Sequence, residues 1–340
     1  MTQLKYWLAM MLIAFPMVLQ ADSRFAASSA EQQSAGVCIA LNTKPAAPLT
    51  TVAAETAPFR YVVQVGKGQT AAETRLVSET QLEDIQRQLA VADALYQQVL
   101  GLSAPLSMPR YAKAHYIQVS IQASERRFGL AYDEVTTTRQ EGSAGCHINM
   151  LVSNQVYANR NGTPAHELFH LYQNSYMMFK QAWLSEGLAR WSESLLATGV
   201  GVGADDPLPQ NREELESVMA QSYPAAKMWI RLFRLLDDRG EFSVAEDIAK
   251  KIYTDNSVIV KDKRAYGTAF IRPLFEALAA QSAAVSRRQG WQEYGWAERE
   301  QKNPAHNRDI WLALKRAIHN YLLPEQQTVE LKQFLQIELP

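Results

Sequence analysis

The pentapeptide His166-Glu167-Leu168-Phe169-His170 restricts this chain more than any other feature of its 340 residues. The segment reads as the first turns of a helix, on which histidines four apart project both imidazoles from one side. Thr163-Pro164 supplies the entry, threonine for the cap and proline for a position that needs no backbone donor. Leu168, Phe169 and Leu171 give this helix apolar flanks to bury. Neutral imidazole suits Zn²⁺ at about 2.0–2.1 Å, and two such groups on a rigid helix are preorganised to grip one ion. Glu167, next to the first ligand, points at a water on that ion rather than at the ion, which is where a general base belongs. A chance H-E-x-x-H arises in about one chain in a hundred of this length, and few such matches bring helical flanks and a third ligand.

The third ligand comes from Trp183-Leu184-Ser185-Glu186-Gly187-Leu188-Ala189. With the pentapeptide, this segment resembles the gluzincin metallopeptidases, in which a Trp-Leu-x-Glu-Gly-x-Ala stretch on the following helix gives a glutamate to zinc. The resemblance implies a His166, His170, Glu186 zinc site with one position left for water. It also implies that Glu193, two turns beyond Glu186, holds a ligand imidazole in the right tautomer. Arg190, four residues after Glu186, reads as its i,i+4 surface partner. Fifteen residues separate His170 from Glu186, fewer than in thermolysin-like enzymes or the large aminopeptidases, so a tighter connection between the two helices is expected here. The implied fold is α+β and zincin-like, with a small mixed sheet and the active-site helix in an N-terminal lobe, and a mostly helical C-terminal lobe. Ser222-Tyr223-Pro224-Ala225-Ala226-Lys227 resembles the tyrosine-to-helix stretch that supplies the oxyanion donor in aminopeptidase-type gluzincins, which implies Tyr223; Tyr266, which enters a similar helix, is its competitor, and a helix-start tyrosine packed on the core is the third reading. Nothing in the chain resembles the Gly-x-Met-x-Asn segment by which large aminopeptidases hold a substrate N-terminus.

The resemblance implies a zinc metallopeptidase that hydrolyses a peptide or protein substrate, with Glu167 as general base. Two rivals stand beside it: a non-catalytic zinc-binding protein on the same scaffold, and a zinc-dependent hydrolase of a non-peptide amide. The first rival would be marked by loss of Glu167, which is present.

The formal net charge is −1, and no Lys/Arg run supplies the electrostatic footprint of a nucleic-acid binder. The chain shows no G-x-S-x-G elbow, phosphate loop or dinucleotide fingerprint. Residues 1–21 read as a signal peptide: Lys5 is the positive start, Leu8 to Leu19 is apolar but too short for a span of about 20 residues, and Ala21 ends the segment. The expectation is an exported protein, periplasmic or secreted, without a membrane span after cleavage. In an oxidising compartment Cys38 and Cys146 have two readings, a disulfide or two partly buried thiols.

Residues 22–58, rich in Ala, Ser, Gln, Thr and Pro, read as a flexible arm, and 59–340 as the metallopeptidase-like domain, divided into 59–180 and 181–340. Strands are expected at 59–65, 116–121 and 145–152, and a helix from a Thr80/Glu83 capping box to Gly101. Further helices are expected at 164 to about 179, 183–196, 225–236, 244–253, 269–284 and 310–322. His147, on the strand before the metal motif, is the remaining histidine with a claim on the cleft. His115, His306 and His319 read as structural or surface groups.

Overall fold

Alternating apolar residues build the sheet. In Tyr116–Gln122 (β4 below) the side chains of Ile117, Val119 and Ile121 are fully buried, while their neighbours are partly exposed. The computed structural model describes residues 39–40, 50–64, 77–124, 128–137, 145–199, 206–261 and 263–340, all inside the compact unit Ser34–Pro340. The signal peptide expected at 1–21, most of the arm and Cys38 lie outside the described residues, whereas Cys146 is not a free thiol.

Six strands form one mixed sheet: β1 (Ile39–Ala40), β2 (Thr50–Thr56), β3 (Phe59–Gln64), β4 (Tyr116–Gln122), β5 (Gly129–Thr137) and β6 (Cys146–Ser153), in the spatial order β1-β5-β6-β4-β3-β2. β3, β4 and β6 run parallel to one another, β2 is antiparallel to β3, and β5 is antiparallel to β6 and parallel to β1. Two features depart from the sequence reading. Residues 50–56, expected in the arm, form an edge strand on β3, and β5 was not expected at all. Its sequence GLAYDEVTT lacks alternation because the strand carries a bulge: Ala131 pairs with Met150 but Val135 with Ile148, so β5 spends two extra residues between these pairs.

The helices are α1 (Glu79–Gln98), α2 (Thr163–Tyr176), α3 (Ala182–Ser192), α4 (Arg212–Met219), α5 (Ala226–Leu236), α6 (Glu246–Ala249), α7 (Ile271–Gln289), α8 (Glu298–Gln301), α9 (Asn307–Tyr321) and α10 (Val329–Leu335). α1 starts from Ser78, whose hydroxyl accepts from the Gln81 amide at 3.1 Å, so Thr80 is not its cap. The helix expected over 244–253 shrinks to the single turn of α6. Asp84 on α1 captures the Thr254 amide at 2.7 Å and its hydroxyl at 3.0 Å, and Asn256 takes φ 67°, which a helix cannot continue through.

α2 is almost wholly buried. Leu168, Phe169, Leu171 and Tyr172 have no exposure, and each such side chain contributes on the order of 1.5–3 kcal/mol. Tyr96 of α1 meets Phe169 and Tyr172 edge-on at 5.1 and 5.3 Å, and Phe275 of α7 packs on Phe169 at 5.8 Å. One contiguous apolar core therefore runs through both expected lobes, from Phe59 to Leu339. α3 is set against α5 by Trp183 and Trp229, stacked 2° from parallel at 5.5 Å. Gly187 permits this approach, because a Cβ there would sit 2.8 Å from the Trp229 ring.

Candidate metal centre

The first turn of α2 leaves orphan backbone amides that the chain satisfies from a distance. Gly162, not Thr163, is the N-cap. The Thr163 amide donates to Asn161 Oδ1 at 2.8 Å, and the Ala165 amide donates to Gln88 Oε1 at 3.2 Å. Gln88, fully buried on α1, is held in turn by donating to the Ala158 carbonyl and the Tyr253 hydroxyl. A cap side chain at 162 would crowd Glu193, whose Cγ would lie 3.3 Å from a Cβ there.

From this anchored helix His166 and His170 project together, their rings 4.8 Å apart and nearly perpendicular. Glu186 on α3 faces both: its Oε2 lies 3.2 Å from His166 Nε2 and 3.4 Å from His170 Nε2. Among the described residues these three offer ligand atoms that all lie within 4.8 Å of one another.

The hydrogen-bond chemistry behind the rings fixes what they present. Gln173, buried on α2, donates its Nε2 to the Ser185 carbonyl at 3.0 Å, so its Oε1 must face His170 Nδ1 at 2.7 Å as an acceptor. His170 Nδ1 therefore carries the proton, and Nε2 is left as a lone pair. The same logic holds for His166, whose Nδ1 donates to Glu193 Oε1 at 2.8 Å, while Arg190 grips the other Glu193 oxygen at 2.8 Å. In the neutral rings both Nε2 lone pairs thus converge on a carboxylate oxygen. Three acceptors in a largely buried site repel one another unless a cation or a proton lies between them. Two imidazoles and a carboxylate suit Zn²⁺ among the common ions.

The electrostatics express the same demand as protonation. Burial disfavours the charged form of His166, but Glu186 and Glu193 outweigh it and push the ring up to about 9. Burial lifts the Glu186 carboxyl, yet the two histidines hold it well below the usual carboxylate range. Glu167 is raised by burial, against the opposing pull of His170, His166 and the Ala131 backbone amide. Its carboxylate sits under β5, where a Cβ on Gly129 would come 2.7 Å from Glu167 Cδ.

Tyr223 opens the 3₁₀ turn before α5 and reaches the same place: its ring is 5.8 Å from that of His166, and 54% of the residue is exposed. Burial, then the Glu186 and Glu167 charges, push its phenol up to about 12. Tyr266 packs its ring on Gly240 and beneath Arg234 instead, and its carbonyl accepts from Trp191 Nε1. Arg190 pairs with Glu193 at i,i+3 rather than with Glu186, because the chain tightens into a 3₁₀ turn at Glu193–Leu195. His147 belongs to the sheet. It is buried, stacked on Tyr116 at 5.2 Å and within 3.3 Å of the Thr136 hydroxyl, and the strand over Glu167 is β5, not β6.

Gln88, Gln173, Gly129 and Gly162 escape sequence reasoning. Gln173 alone left a trace, three residues after His170 and so on the same side of the helix. No family model, curated protein or solved structure matches this chain.

Proposed function

We propose that this protein is an exported zinc-dependent metallopeptidase of the gluzincin type, on a zincin-like arrangement of its α+β fold. The observation that carries the reading is the convergence of His166 Nε2, His170 Nε2 and a Glu186 oxygen, with both rings braced from behind at Nδ1 so that Nε2 is the atom each offers to an ion. His166, His170 and Glu186 would hold Zn²⁺, which supplies a Lewis acid for the scissile carbonyl and lowers the pKa of water to about 7. Glu193 and Gln173 keep both Nδ1 atoms protonated and the rings aimed. Glu167 takes the proton of the attacking water and passes it to the leaving amine, a role that its raised affinity for a proton suits. Tyr223, kept protonated by burial and the surrounding carboxylates, donates its hydroxyl to the oxyanion as the carbonyl becomes tetrahedral. The charged n-region and apolar segment of residues 1–21 support export.

The test is metal analysis of the purified protein together with a broad peptide-library digest, with and without chelator. One zinc per chain and chelator-sensitive cleavage are expected. Glu167→Gln should keep the zinc and lose about 10²–10⁴-fold in turnover. Zinc-loaded protein that cleaves nothing, or a fully active Glu167→Gln variant, would end the reading.

A further inference from the structure

β5 approaches α2 closely enough that no side chain fits between Gly129 and Glu167, so the height of this strand decides where the carboxylate rests. Ladder pairing holds Gly129, Leu130 and Ala131 against Val152, Leu151 and Met150, but it breaks off there: β5 is bulged between Ala131 and Val135, directly after the stretch that lies over Glu167. Asp133 stands in the bulge. Its Oδ2 is held by Arg110 at 2.6 Å and by Lys180 at 2.7 Å, and only 18% of the side chain is exposed. Arg110, 4% exposed, also donates to the carbonyls of Asn174 and Met177, at 2.6 and 3.4 Å, where α2 ends. One cluster thus ties the bulge of β5 to the far end of the helix that carries Glu167.

A buried ion cluster of this kind is a poor source of stability, because desolvation cancels most of its Coulombic gain. What it fixes is geometry. We infer that the Arg110–Asp133–Lys180 cluster sets the position of Glu167 by pinning the β5 bulge to α2, which makes Asp133 a positioning residue for the general base. The catalytic half of this inference rests on the function proposed above; the clamp itself does not.

The test uses the full-length, zinc-loaded protein carrying Asp133→Asn. Hydrogen exchange read by mass spectrometry over residues 129–137 is expected to quicken by about tenfold, with α2 and α3 unchanged and zinc retained. On a peptide substrate kcat is expected to fall about ten- to a hundredfold while KM stays within about twofold, since a displaced base loses proton transfer rather than binding. If Asp133→Asn does not fold, Lys180→Met leaves the Arg110–Asp133 pair in place and should show both effects at a few-fold level. A folded variant with wild-type exchange over 129–137 overturns the inference. So does loss of protection spread evenly over the chain, or a change confined to KM. If the wild-type protein cleaves no peptide, the functional reading falls and the exchange measurement still decides the clamp.

Discussion

Two walls face each other across the candidate site, and they are held by different means. The helical wall presents His166, His170 and Glu186 from α2 and α3, and each ring is braced by a group on the same pair of helices or the turn that follows: Gln173 on α2, Glu193 just past α3. The strand wall presents no ligand. It is the backbone of β5 at Gly129 and Ala131, brought over Glu167 by a bulge and a cluster of three charges from distant parts of the chain. Local periodicity and neighbouring hydrogen bonds fix the first wall, and long-range backbone approach fixes the second. Changes to the helical wall should therefore register in metal affinity, and changes to the strand wall in turnover with the metal retained.

The sharpest break of this division is Glu186→Ala. It removes the carboxylate facing both Nε2 atoms, so stoichiometric zinc and all measurable hydrolysis should go together while the fold, read by circular dichroism, persists. A variant that keeps zinc at one per chain would mean that the helical wall does not hold the ion as drawn. On the strand wall the counterpart is Gly129→Ala. The new methyl meets the Glu167 carboxylate, so kcat should fall by about 10²-fold with zinc content untouched, because a misplacement of about 1 Å is enough for such a loss. Zinc loss in Gly129→Ala would erase the distinction between the walls.

The same contrast governs what could be read in advance. The helical wall announced itself because a period of 3.6 puts His166 beside His170, and because Trp183 to Ala189 resembles the ligand-bearing segment of gluzincins. The strand wall was silent. The bulge in β5 destroys the alternation that identifies a strand, and nothing near Gly129 in sequence hints that its missing side chain makes room for residue 167. The helix cap failed for a related reason: Thr163 is a suitable cap by type, but the amide of Ala165 is satisfied by Gln88, 77 residues away. Helix 244–253 failed because Asp84, from another element, captures Thr254. In the cap and the shortened helix a long-range polar contact overrides a sound local preference.

Within the helical wall the two braces differ in charge, and the difference is measurable. Glu193 backs His166 as a carboxylate shared with Arg190, whereas Gln173 backs His170 as a neutral amide that also ties α2 to the Ser185 carbonyl of α3. Glu193→Gln and Gln173→Leu should each weaken zinc binding by about 10–100-fold, read by competition with a chelator of known affinity. Glu193→Gln is expected to be the larger loss, because it also removes the negative charge that raises the basicity of the ring. Equal losses would show that orientation, not charge, is what the brace supplies.

The smallest expected effect lies in acid stability and belongs to the strand wall. Burial pushes the Asp133 carboxyl up, but Arg110 and Lys180 outweigh it and leave the group below its usual range. A carboxyl with a depressed folded-state pKa stabilises the fold fully above its unfolded value of about 3.9, and that contribution is lost as pH falls through the folded-state value. Denaturant unfolding of wild type and Asp133→Asn at pH 7, 5, 4 and 3 should therefore show the two proteins furthest apart at neutral pH. The gap should narrow only below about pH 4, where wild type begins to protonate the group that the variant lacks. A gap that stays constant down to pH 3 would mean that Asp133 holds the bulge by shape alone, and the strand wall would then owe its position to packing rather than to charge.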